Sequence, residues 1–182
     1  MKRLLRIAVI SLAMTLSWSG FAADGEPDIK GKTVCVASLD NMKYLVTDAG
    51  EIASTKDGIT WKTFDFNENY AGYYGHVDFS CICMSGLNIL AAGTYEDGRP
   101  AVFVSTRGTV WSERSLTYKI NGQTYELEAA PLGAAYDKHL DRYVLECEDG
   151  IYFVLPNCSH CNQIGFQMTE DISRLTFFRK QD

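Results

Sequence analysis

The densest run of reactive side chains is Cys158-Ser159-His160-Cys161. Two thiols at this spacing do redox chemistry when the first sits at a helix N-terminus, where the dipole lowers its pKa. No helical periodicity surrounds them here. Zinc would need two further ligands, such as His160 with Cys147 or His139, and no second pair has finger spacing. Haem attachment needs His directly after the second cysteine, and Asn162 stands there. A local bridge between Cys158 and Cys161, stapling their turn, is the preferred reading, with redox or metal chemistry as the alternative. No metal or other cofactor is expected.

A second candidate is the stretch Asn69–His76, which places Tyr70, Tyr73, Tyr74 and His76 among glycines. It reads as a flexible loop with polar-tipped aromatic rings, suited to stacking on a glycan or contacting a protein. Packing of the tyrosines over sheet ends is the competing reading. Adjoining turns supply Asp48, Glu96, Asp97, Arg99, Glu148 and Asp149. A glycan hydrolase would draw its acids from Glu68, Asp97 and Asp149, with two carboxyls about 5 to 9 Å apart. No Ser/His/Asp order, phosphate loop or His cluster stands out, so no residue is assigned as catalytic. The first expectation is a non-enzymatic binding or scaffold protein. The hydrolase is an alternative.

The elements that must position these groups are strands. Apolar runs are short, rich in Val, Ile, Tyr and Phe, and bounded by Gly, Asp or Asn. They recur in fixed order as three four-stranded units. The first is 33–39, 43–47, 51–55 and 60–66; the second 77–84, 88–93, 101–106 and 110–118; the third 132–136, 142–147, 151–155 and 165–169. Tyr44, Leu90 and Tyr143 hold equivalent places, as do Trp61 and Trp111. Asn121-Gly122 marks a hairpin, so 116–120 and 124–127 form a ribbon. Residues 173–179 read as a final strand that pairs back to the first unit.

Ser54-Thr55-Lys56-Asp57-Gly58-Ile59-Thr60-Trp61 resembles the Asp-box of sialidase-type (BNR) repeats, through Ser54 or Thr55, Asp57, Gly58, Thr60 and Trp61. The second unit keeps Ser105, Gly108 and Trp111 but has Arg107 in place of the acid. The third has Asn157–Cys161 at that turn. The resemblance implies an all-β propeller-like fold in which the box joins the third and fourth strands of a blade, away from the ligand pocket. It makes Asp57 a turn former and the Trp a buried lock. The family's arginine triad is missing, so sialidase chemistry does not carry over. Three units do not close a ring of the usual four to eight blades. An open stack, or a homodimer making a six-bladed ring, would each resolve this.

Residues 1–22 read as a cleavable secretory leader. Lys2, Arg3 and Arg6 precede an apolar run over Leu4–Leu16, with Gly20 and Ala22 before the cut. Residues 23–182 then form a single domain, exported to the periplasm or the medium, with no membrane span left. The leader carries three of the 17 Lys and Arg and none of the 23 Asp and Glu, leaving 14 against 23, a net charge of −9. Such an acidic total argues against nucleic acid and against simple adsorption to anionic lipid. An even six cysteines in an exported chain (Cys35, Cys81, Cys83, Cys147, Cys158 and Cys161) makes all of them disulfide candidates.

Overall fold

The computed structural model describes residues 25, 27–154, 161–163 and 175–180. It is all-β and propeller-like, with three antiparallel meanders. The first sheet is β1 (Thr33–Leu39), β2 (Met42–Thr47), β3 (Glu51–Thr55) and β4 (Trp61–Asp65). The helix α1 (Phe66–Tyr74) leads to the second sheet, β5 (Val77–Met84), β6 (Ile89–Tyr95), β7 (Pro100–Ser105) and β8 (Ser112–Glu113). A ribbon of β9 (Thr117–Ile120) and β10 (Gln123–Glu126) follows. Its turn carries Asn121 and Gly122 at φ 51 and 81, as an Asn-Gly hairpin requires. The third sheet is β11 (Pro131–Asp137), β12 (Arg142–Cys147), β13 (Gly150–Val154) and β14 (Cys161–Gln163), with β15 (Phe178–Arg179) on its inner edge.

The repeat extends to a backbone irregularity. Each unit's first strand slips register against its second near its start: between Thr33 and Cys35, Phe79 and Cys81, and Pro131 and Gly133. An extra residue there bends and twists the strand. Gly93 lies opposite the middle bulge, where a Cβ would strike the Asp78 carbonyl. β5 lies between β1 and β11, so the second sheet is covered on both faces. β6 and β7 are accordingly buried almost throughout.

The strand plan differs from expectation in three places. The second unit's fourth strand pairs only over Ser112–Glu113, because the chain leaves the sheet after Arg114 to build the ribbon. The third unit's fourth strand is Cys161–Gln163, and residues 164–174 lie outside the described residues. The final strand pairs with β11 of the third unit, not with the first unit. It does lie against β1 and β5, so it fills the centre between the first and third sheets.

Cys35, Cys81, Cys83 and Cys147 are buried and form no disulfide, which corrects the disulfide expectation for these four. They sit on inner strands and fill core volume as small apolar groups. Desolvation pushes the Cys35 thiol up to about 11 and Cys81 and Cys83 well above the ordinary range. The thiolate that disulfide exchange needs is therefore scarce. Cys158 lies outside the described residues, as does the Cys161 side chain.

The units place their turns at two ends. Tyr143, at the start of β12, donates its hydroxyl to the Asn88 carbonyl in the β5–β6 turn at 2.7 Å. Gly108 in the β7–β8 turn lies against Tyr44 at the start of β2. The β1–β2, β3–β4, β5–β6, β7–β8 and β11–β12 turns therefore share one end, the hairpin end. The β2–β3, β6–β7 and β12–β13 turns and α1 share the other, the groove end.

Candidate functional site

The segment expected as a flexible loop is a helix. Asp65 caps it, its side chain accepting from the Glu68 N–H at 2.8 Å, and Gly75 closes it at φ 87. Asp65 and Glu68 have the spacing of a capping box, a signal the tyrosine-rich composition obscured. Phe66, fully buried, meets Phe79 and Phe103 edge-on at 5.1 and 4.7 Å. Tyr70 and Tyr74 pack on this cluster, and the Tyr70 hydroxyl accepts from the Trp111 backbone N–H at 3.1 Å. Their role is in the core. Tyr73 alone faces solvent, 84% exposed.

Asn67 was not foreseen as important. Its buried amide donates to the carbonyls of Ala49 and Val77 at 3.2 and 3.1 Å and accepts from the Val77 N–H at 3.0 Å. It thus ties the β2–β3 turn, α1 and β5 into one floor. Gly50, at φ 81, has no room for a Cβ because the Asn67 side chain occupies that space. The Asn67 amide also reaches His76 Nε2 at 3.3 Å, which fixes the exposed imidazole on the rim.

Above this floor runs a groove of about 680 Å³ lined by Asp48, His76, Asp78, Tyr95, Glu96 and Lys180 among others. Asp48 Oδ1 accepts from the Lys32 N–H at 2.7 Å, and Asp78 lies 3.7 Å from Lys180 Nζ. Glu96 has no bonded partner among the described residues. Arg99 stands beside the groove, donating to Asp97 at 2.7 Å with its guanidinium 5.0 Å above the Tyr95 ring. On the far side of Arg99 a smaller cleft of about 460 Å³ opens toward the ribbon, lined by Asp97, Glu113, Arg114, Leu116 and Glu128 among others. There Tyr95 donates to Glu113 at 2.7 Å, and desolvation, with that bond, pushes the phenol well above its usual range. The structure thus gathers His76, Arg99, Asp48 and Glu96 at one end, as the turns implied.

The three acids of the hydrolase alternative are each engaged by a different partner. Glu68 pairs with Lys30, Asp97 with Arg99, and Asp149 accepts from the Tyr152 hydroxyl. No group of three or more His, Cys, Asp or Glu side chains arranged to hold a metal occurs among the described residues.

The two Trp hairpins lie at the opposite end. Asp57 Oδ1 accepts from the Thr60 and Ile59 N–H groups at 2.7 and 2.9 Å and from the Thr55 hydroxyl. The N–H bonds hold its carboxyl well below the usual range. Gly58 supplies φ 75. In the second hairpin the Ser105 hydroxyl accepts from the Gly108 N–H at 2.8 Å, and Trp111 donates to the Gly108 carbonyl at 3.1 Å. Trp111 is buried, but Trp61 is only half-buried and donates to the Gly25 carbonyl, which corrects its expected role as a buried lock.

No known protein family matches the chain, and no curated protein matches it. Among solved structures it is similar to YCF48 from Cyanidioschyzon merolae, at 17% identity and a TM-score of 0.45. The match covers 84% of this chain and 45% of that one, so this chain spans less than half the length of that protein.

Proposed function

We propose that the chain is an exported, non-enzymatic binding module of the Asp-box type. Its ligand is a cationic segment of a partner protein, taken in the groove between the β2–β3 turn, His76 and the β6–β7 turn. The carrying observation is the carboxylate arrangement there: Asp48, Asp78 and Glu96 line one groove against Lys180, and Glu96 makes no bond among the described residues. An anionic glycan would meet like charge, whereas Lys or Arg side chains find acceptors already oriented. Export rests on the leader and on the acidic total.

The test is fluorescence anisotropy with labelled octa-arginine and octa-glutamate peptides in low salt. Binding of the arginine peptide, weakened about two- to fivefold by each of Glu96→Gln and Asp78→Asn, supports the reading. Equal affinity for both peptides, or indifference to both substitutions, contradicts it. N-terminal sequencing of the secreted protein tests export, with a start near Ala23 as the expected result.

A further inference from the structure

We propose that Lys180 is a built-in competitor for the ligand of the groove. It holds the place at Asp78 that a cationic side chain of the partner takes. The inference rests on the cationic-ligand reading of the groove and adds the device that limits its affinity.

The walls of the groove carry three acids, Asp48, Asp78 and Glu96, together with His76 and the cation Lys180. Arg99, beside the groove, is paired with Asp97. Lys180 arrives from β15, whose two residues pair with Ala134 and Gly133 of β11. That strand has its own anchor. Arg179 donates from Nε and Nη2 to the two carboxylate oxygens of Glu146. Gly133 leaves room for this pair, because a Cβ there would stand 2.8 Å from the Arg179 Cγ and 3.0 Å from Glu146 Oε2. The backbone that delivers Lys180 is thus fixed without help from the Lys180 side chain.

That side chain is loosely held. Its Nζ lies 3.7 Å from Asp78 Oδ1, beyond hydrogen-bond reach, and the two side chains are 49 and 57% exposed. It makes no other bond among the described residues. An exposed pair of this kind adds little to stability. A tethered ammonium nevertheless stands at Asp78 at a far higher effective concentration than a free peptide reaches. An incoming Lys or Arg must displace it from Asp78 or accept a like charge alongside. Adjacent residues therefore have separate jobs: Arg179 anchors the strand, and Lys180 occupies the site.

The test is anisotropy of labelled octa-arginine in low salt with Lys180→Gln, Asp78→Asn, the double variant, and Lys138→Gln, which removes an exposed cation from the opposite end. Lys180→Gln should tighten binding about two- to fivefold. The gain should vanish in the Asp78→Asn background, because the competition is for that carboxylate. Lys138→Gln should leave the affinity unchanged, and Lys180→Gln should melt at the parent temperature. Unchanged or weaker binding by Lys180→Gln overturns the proposal. So does a gain that persists without Asp78, an equal gain in Lys138→Gln, or a lowered melting point, which would make Lys180 a structural residue. In each of these cases the parent still binds and the groove reading stands. Peptide bound by neither parent nor variants removes both.

Discussion

At the hairpin end, Asp57 binds two backbone N–H groups and a hydroxyl of its own turn. At the groove end, Glu96 stands in an equally exposed turn and binds nothing among the described residues. One carboxylate is consumed by local structure; the other is not. The same contrast separates the aromatics. Trp111 is sealed beneath a hairpin and held through its ring N–H, whereas Tyr73 projects from α1 into solvent. Residue type alone does not distinguish structural from available groups. The number of bonds each already makes does.

The sharpest way to press on this contrast is Trp111→Ala. A fully buried indole removed from the core should lower stability by about 3–5 kcal/mol in urea unfolding. Trp61→Ala, at the equivalent place but half-buried, should cost clearly less. Equal losses would break the distinction between the two hairpins. Next is Tyr143→Phe, which removes the bond to the Asn88 carbonyl between the second and third units; that carbonyl keeps the Ser85 N–H as a donor, so the loss should be about 0.5–1.5 kcal/mol. A loss below about 0.5 kcal/mol would show that this bond does not tie the hairpin end together.

Asp57 gives a smaller, pH-dependent effect. Its folded pKa is lowered by the Thr60 and Ile59 N–H groups. A depressed carboxylate stabilises fully above its unfolded value of about 4, and that stabilisation fades as pH falls toward the folded value. Melting temperature should therefore drop between neutral pH and pH below 4, and Asp57→Asn should flatten part of that drop while lowering the neutral value. A variant with an unchanged pH profile would contradict the assigned bonds. The smallest effect is expected of Glu96→Gln, within about 0.5 kcal/mol of the parent in the same unfolding assay. A larger loss would mean that Glu96 carries structure after all.

Much of this was legible in the sequence, for local reasons. The inner three strands of each unit follow from apolar runs closed by Asp, Asn and Gly, and the Asn121-Gly122 ribbon follows from its turn. Asp57-Gly58 announces a turn because its bonds lie within a few residues. The helix at Phe66–Tyr74 escaped because four of its nine residues are aromatic and its anchors are long-range: Phe66 in the core and Asn67 across to Ala49 and Val77. The fate of the cysteines was equally non-local. Their even number, with the export expected from the leader, suggested bridges, but four of them pack in the core without disulfide bonds.

The central claim is that the groove end holds the ligand site. Nitrogen-15 correlation spectra recorded during titration with a short arginine-rich peptide test it directly. The account predicts shifts concentrated at Asp48, His76, Asp78 and Glu96, with the hairpin-end turns around Ile59 and Leu140 unmoved. Shifts centred on those hairpin turns, or none at saturating peptide, would contradict it.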